Sequence, residues 1–185
     1  MKILGIIGSL RKDSLNRKYL EAAQAAMPKG SELSLYSLND VPLYNGELDG
    51  ETKPQAVLDL QNAISTADAL LIATPEYNYS LPGVLKNAID WASRPAFNSS
   101  LKHKPYGLLS ASMGPSGGAL AQANAKHVLG GCLAIDFPYV SMTLASAHTV
   151  FGDDFENTKK LADAQAQKRL EDYLSAFTSW LEANK

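Results

Sequence analysis

Short, nearly continuous apolar runs alternate along this chain with longer segments in which apolar side chains return every three or four residues. The runs at residues 2–8, 32–37, 69–74, 106–112 and around 133–140 have the length and composition of buried strands. Between them, Leu15, Tyr19, Ala22, Ala23 and Ala26 fall on one face of a helix that Pro28 and Gly30 close. Pro54 can open a second helix, with Val57, Leu60, Ile64 and Ala67 at helical spacing. Val84, Leu85, Ala88, Ile89 and Trp91 mark a third, and the alanine-rich stretch 118–129 a fourth. Leu170, Tyr173, Leu174, Phe177 and Leu181 mark a long C-terminal one. The pattern predicts five strands and five helices in βα order.

Strands buried on both faces read as unbroken apolar runs, and right-handed crossovers between them build a parallel sheet covered by helices on both sides. The expected class is therefore α/β, in three layers. Ligands of such sheets bind beyond the carboxyl ends of the strands, where the strand order reverses. For a five-stranded parallel sheet of order 2-1-3-4-5, the reversal lies between strands one and three. That singles out the loops at 8–14 and 75–83.

A length of 185 residues, without internal repeat or linker, fits a single domain over residues 1–185. An apolar fraction of 45% beside a charged fraction of 19% leaves no room for a dominant disordered tail or coiled coil. The net charge of -2 gives no general reason to bind nucleic acid or an anionic membrane, and neither is expected as a partner. The apolar run at the start is too short for a signal segment, and no stretch approaches the roughly 20 apolar residues that span a bilayer. A cytoplasmic location is expected. Cys132 is the only cysteine, which excludes an intramolecular disulfide and a thiolate-rich metal site.

The first loop, Gly8-Ser9-Leu10-Arg11-Lys12-Asp13-Ser14-Leu15-Asn16, leaves a strand and enters a helix, so backbone N–H groups and the positive helix end converge on it. Ser9, Ser14 and Asn16 add hydrogen-bonding groups, and Arg11 adds a planar fork suited to phosphate oxygens. The bland alternative is that Asp13 or Ser14 simply caps the helix while Arg11 and Lys12 lie in solvent. Neither the Walker pattern nor G-x-G-x-x-G is present, so a terminal monophosphate fits better than a triphosphate or a standard dinucleotide.

The second loop, Pro75-Glu76-Tyr77-Asn78-Tyr79-Ser80-Leu81-Pro82-Gly83, is stiffened by two prolines. It can offer the N–H groups of Glu76 to Asn78 to the edge of a planar ring, with Tyr77 or Tyr79 as a wall. A flavin asks for both, because donors near its pyrimidine edge stabilise the charge of its reduced form. The alternative is a polar loop whose tyrosines pack on neighbouring helices.

With these two loops, the segment Leu85-Lys86-Asn87-Ala88-Ile89-Asp90-Trp91 and the stretch Ser110-Ala111-Ser112-Met113-Gly114-Pro115-Ser116-Gly117-Gly118, the chain resembles the NADPH-dependent FMN reductase family. This is the group that includes bacterial quinone, chromate and azo reductases, and the likeness runs from the first strand to about the fifth. The resemblance implies a flavodoxin-like fold, FMN as cofactor, NADPH or NADH as electron donor, and assembly as a homodimer or homotetramer. It implies that Ser9, Arg11, Ser14 and Asn16 hold the FMN phosphate, that Pro75, Glu76, Tyr77 and Asn78 contact the isoalloxazine, and that Ser112 and Gly114 line its other side. The implied reaction takes a hydride from the nicotinamide to FMN and passes two electrons to a small acceptor, a quinone foremost, with chromate or azo compounds as further acceptors. Two alternatives are a reductase that uses free FMN as substrate and a flavodoxin-like electron carrier without its own NAD(P)H oxidation. A ligand-binding α/β module without redox chemistry is a third.

No catalytic side chain is expected, since the flavin carries the chemistry, and no metal site is expected. His103, His127 and His148 read as structural or surface residues. Glu76 reads as a backbone contributor, and Cys132 as a small hydrophobe opening the fifth strand. Asp90 and Arg94, four apart, read as a helical ion pair, and Trp91 equally as core or as subunit contact.

Overall fold

In the computed structural model, which describes residues 1–184, six strands form one sheet in which every pairing is parallel. They are β1 (Lys2–Ile7), β2 (Glu32–Ser37), β3 (Ala69–Thr74), β4 (Pro105–Ala111), β5 (Ile135–Asp136) and β6 (Met142–Leu144). The order is β2-β1-β3-β4-β5, with β6 also paired to β4. This is the flavodoxin-like order expected from the sequence. The helices are α1 (Leu15–Ala25), α2 (Gln55–Thr66), α3 (Gly83–Ala92), α4 (Ala119–Gly131), the single turn α5 (Phe155–Thr158) and α6 (Ala164–Ala183).

Side chains alternate across a strand, and here both sets are apolar because both faces are covered. Ile3, Ile7, Leu71 and Leu109 pack with Tyr19 and Leu20 of α1 and with Leu170, Leu174 and Phe177 of α6. Leu4, Ile6, Leu70, Ile72 and Leu108 face the other way, onto Leu60 and Ile64 of α2, Leu85 and Ile89 of α3 and Leu129 of α4. The result is three layers. In register, Ile7 sits beside Ala73 and Thr74 beside Ser110, which levels the carboxyl ends of β1, β3 and β4.

The fifth strand departs from expectation. The apolar run 133–140 does not form one strand: Leu133 adopts a left-handed backbone (φ 62°), and the chain leaves the sheet after Asp136 and rejoins it as β6. Pro138 has no N–H to give to a ladder. Phe137 still donates its N–H to Tyr106 O at 2.9 Å, but its ring turns into a cluster with Tyr139, Tyr173, Phe177 and Trp180. Cys132 consequently closes α4 rather than opening a strand, and burial pushes its thiol pKa up, away from the reactive thiolate.

The expected ion pair on α3 is corrected, and Trp91 takes the first of its two alternatives. Asp90 pairs with Lys86 at 2.6 Å, while Arg94 reaches across to Asp49 at 2.6 Å; Asp90 and Arg94 are not partners. Lys53 adds a second contact to Asp49 at 2.9 Å. Hydrogen bonds from Arg94 and Lys53 hold the Asp49 carboxyl below its usual range. Trp91 is fully buried within its own chain, with its Nε1–H donating to Pro42 O at 2.8 Å and the Tyr44 ring edge-on at 4.8 Å, which makes it a core residue. Asn87 completes the anchor by accepting from Tyr44 N–H at 2.7 Å and donating to Pro42 O at 2.9 Å. The long connection from β2 to α2 is thereby fastened to α3.

Candidate functional site

The carboxyl ends of β1, β3 and β4 open onto one cleft of about 200 Å³. Its walls bring together Ser9, Arg11, Ser14 and Asn16 from the first loop, Pro75, Glu76 and Tyr77 from the second, and Ser112 from the loop after β4. Leu15, Ala111 and Met113 complete the lining. Sequence reasoning passed over these three, although Ala111 is the last residue of β4 and the carboxyl-end rule points to it. Asn78 and Gly114, also expected at the site, do not line the cleft. Asn78 sits at an exposed turn, and Gly114 gives its N–H to Ser112 Oγ at 3.1 Å.

The first loop starts from Gly8, whose N–H bonds Ala73 O at 2.8 Å. A Cβ at this position would stand 2.7 Å from that same oxygen, so only glycine lets β1 turn away so close to β3. Ser14 is the N-cap of α1 and accepts from Arg17 N–H at 3.4 Å; Ser9 accepts from Arg11 N–H at 3.4 Å. Both serines are buried at 4% exposure, and each hydroxyl keeps its own hydrogen to donate. The Arg11 side chain is exposed and has no carboxylate within ion-pair distance among the described residues. Hydroxyl donors, an unpaired guanidinium and the positive end of α1 together suit an anion. The capping role and the anion-binding geometry thus coexist in Ser14.

Asn16 has a different engagement. Its Nδ2 donates to Ala111 O and its Oδ1 accepts from Ala111 N–H, both at 2.9 Å, with the side chain buried. It clamps the start of α1 to the end of β4. One amide hydrogen remains uncommitted.

In the second loop Tyr77 and Ser80 exchange two backbone hydrogen bonds of 3.1 Å around Asn78 (φ 49°) and Tyr79 (φ 64°), a tight turn with two left-handed residues. This engages the Tyr77 N–H, so of the three amides expected to face a ligand only those of Glu76 and Asn78 lack a protein acceptor among the described residues. The Glu76 side chain accepts from Leu120 N–H at 2.9 Å and Ala121 N–H at 3.2 Å in the first turn of α4. The third loop is fixed by Ser110, whose Oγ donates to Gly117 O at 2.7 Å and accepts from Gln122 Nε2 at 2.8 Å. His103, His127 and His148 are exposed, and among the described residues no group of three or more His, Cys, Asp or Glu is placed to hold a metal ion.

Residues 1–149 match the family model described as NADPH-dependent FMN reductase. The chain belongs to that family. It is an oxidoreductase of the FMN reductase and quinone reductase type. An NAD(P)H-dependent FMN reductase of Pseudomonas aeruginosa is 38% identical over 181 residues, spanning 98% of this chain and 95% of its own length. A quinone reductase of Pseudomonas putida is 36% identical over 183 residues, spanning 97% of this chain and 94% of its own length. Among solved structures, the flavoenzyme NAD(P)H:(acceptor) oxidoreductase FerB of Paracoccus denitrificans superposes with a TM-score of 0.88 at 36% identity, covering 98% of this chain and 97% of that one. Family membership implies FMN and NAD(P)H, and the donors at the first loop fit the phosphate of such a cofactor. Among the described residues no helix is long and apolar enough to cross a membrane.

Proposed function

We propose that this chain holds FMN as a prosthetic group in the cleft between its first, second and third loops and reduces a small acceptor of the quinone class at the expense of NADPH or NADH. The observation that carries this reading is the convergence, on one cleft, of two buried serine hydroxyls, an unpaired arginine and a half-exposed tyrosine. When bound, FMN supplies hydride acceptance and two-electron donation. The chain's own residues bind and orient. Ser9, Ser14 and Arg11 take the phosphate, and Asn16 keeps α1 aligned with β4 beneath it. Pro75 and Glu76 present backbone to the ring edge, Tyr77 stands beside its face, and Ser112 forms the opposite wall, while Asn78 and Gly114, outside the lining, shape the second and third loops. In this reading no side chain is needed to hold a proton, since the flavin carries the chemistry.

Tyr79 at 77% and Met113 at 64% exposure on the second and third loops, with Leu120 at 47% in the first turn of α4, make an apolar rim of the kind a second subunit covers. The reading therefore includes a homodimer or homotetramer, to be checked by sedimentation of the flavin-bound protein; a fully active monomer would remove this part.

The deciding experiment is the visible spectrum of purified protein reconstituted with FMN and gel-filtered, recorded anaerobically before and after NADPH. Retained flavin that bleaches and regains colour on adding a quinone supports the reading. Flavin that stays oxidised with both nucleotides points to an electron carrier, and loss of flavin on the column points to free FMN as substrate or to a module without flavin.

A further inference from the structure

We propose that the Glu76 carboxylate governs how readily the flavin is reduced, by neutralising the amino end of α4 at the cleft wall while it locks the second loop to that helix. This rests on the FMN reading above and concerns a positioning residue, since Glu76 acts through the helix and the loop. Its peptide is the candidate contact; its side chain is the new element.

Helix α4 begins without a cap of its own. Its N-cap position is Gly118, which has no side chain and sits at φ 89°. A Cβ there would stand 2.8 Å from Ser110 Cβ, so a serine or aspartate cannot replace it without displacing β4. The acceptor that Gly118 lacks comes instead from the second loop, as Glu76 Oε2 at 2.9 Å from Leu120 N and 3.2 Å from Ala121 N. At the far end of the turn, Ser80 Oγ meets Asn124 Oδ1 at 3.3 Å. Both ends of the segment that would face the ring are thus tied to one helix.

The electrostatic consequence follows from signs. A helix start carries roughly half a positive charge, and a carboxylate beside it more than offsets that charge. Reduction places negative charge on the flavin, which a positive wall favours and a neutral or negative wall disfavours. With Glu76 in place the reduced cofactor is held less firmly and is a stronger donor to an acceptor. Glutamine at this position keeps an acceptor oxygen for the two amides but carries no charge, so it uncovers the positive helix end without dismantling the loop.

The test is the midpoint potential of bound FMN, measured by dye equilibration, for the unmodified protein and for Glu76→Gln, Glu76→Ala and Ser80→Ala. Glu76→Gln is expected to retain FMN and to shift the two-electron equilibrium about tenfold toward the reduced form, about 30 mV more positive. Ser80→Ala loosens the turn without altering charge and is expected to leave the potential where it was. In flavin-free protein, Glu76→Ala is expected to speed amide exchange at Leu120 and Ala121, which keeps the structural half testable should Glu76→Gln fold poorly. An unmoved potential in flavin-bound Glu76→Gln overturns the proposal, as does an equal shift in Ser80→Ala or unchanged exchange in Glu76→Ala. If the unmodified protein retains no flavin, the functional reading falls and this inference with it; an unmoved potential on retained flavin sinks this inference alone.

Discussion

Replacing Asn16 by alanine removes two 2.9 Å hydrogen bonds that join the first turn of α1 to the last residue of β4. The loss is larger than two ordinary hydrogen bonds, because Ala111 is 2% exposed and its N–H and C=O would be left buried without partners. Each stranded group costs about 1–3 kcal/mol, so the pair predicts a destabilisation of about 2–6 kcal/mol. For a domain of this size, each kcal/mol lowers Tm by about 2–4 °C, which puts the expected fall between about 4 and 24 °C. Thermal unfolding of the flavin-free protein measures it directly, and urea unfolding should show a lower midpoint at an unchanged slope. Flavin must be absent, because a ligand that binds only the folded state would add its own stabilisation. A loss below about 1 kcal/mol in flavin-free protein, accompanied by a large fall in FMN affinity, would mean that Asn16 serves as a phosphate ligand and that the clamp reading is wrong.

Arg11→Ala should behave in the opposite way: FMN affinity falls by about 1.5–3 kcal/mol, roughly 10- to 150-fold in Kd, while the flavin-free Tm stays put because the side chain is exposed. Fluorescence titration with FMN decides it, and an unaltered Kd refutes the assignment. Asp49 makes a pH prediction. Its folded pKa lies below the ordinary 3.8, so its contribution is complete above that value and is lost as pH falls below it through the folded pKa. Asp49→Asn should therefore lower stability at neutral pH and flatten the acid limb of the stability curve. An acid limb that keeps its slope in the variant would show that the contacts to Arg94 and Lys53 contribute nothing.

The four main strands and five principal helices were legible because their signals are local. Ala69–Thr74 is buried at every position, and Leu170, Leu174, Phe177 and Leu181 repeat at helical spacing. What escaped is set by distant partners or by a single residue's geometry. Asn16 answers to Ala111, 95 residues away, and Glu76 to Leu120, 44 residues away; neither separation leaves a periodic trace. Arg94 falls past the C-cap of α3, where helical spacing no longer governs, and so finds Asp49 instead of Asp90. The break at Pro138 was present in the sequence as a missing donor, but the apolar run around it outweighed that sign. At the site, the first loop was readable because an anion needs donors and a helix start. The Tyr77–Ser80 turn was not, because Tyr79 carries a left-handed backbone that its residue type does not announce.

The divided fifth strand bears on what this protein does in a crowd. A parallel sheet ends in two open edges, and a long, flat, apolar edge is a template on which another chain can add a strand and begin a fibril. On one side of this sheet the template is two residues, then a proline-bearing detour, then three more. On the other, β2 turns Glu32, Ser34 and Ser37 outward to solvent. An incoming strand finds no long run of free backbone groups at the divided margin, and at the β2 margin it meets a charged and hydroxyl-bearing strand instead of an apolar one, so the apolar strands between them stay out of reach while the sheet is intact.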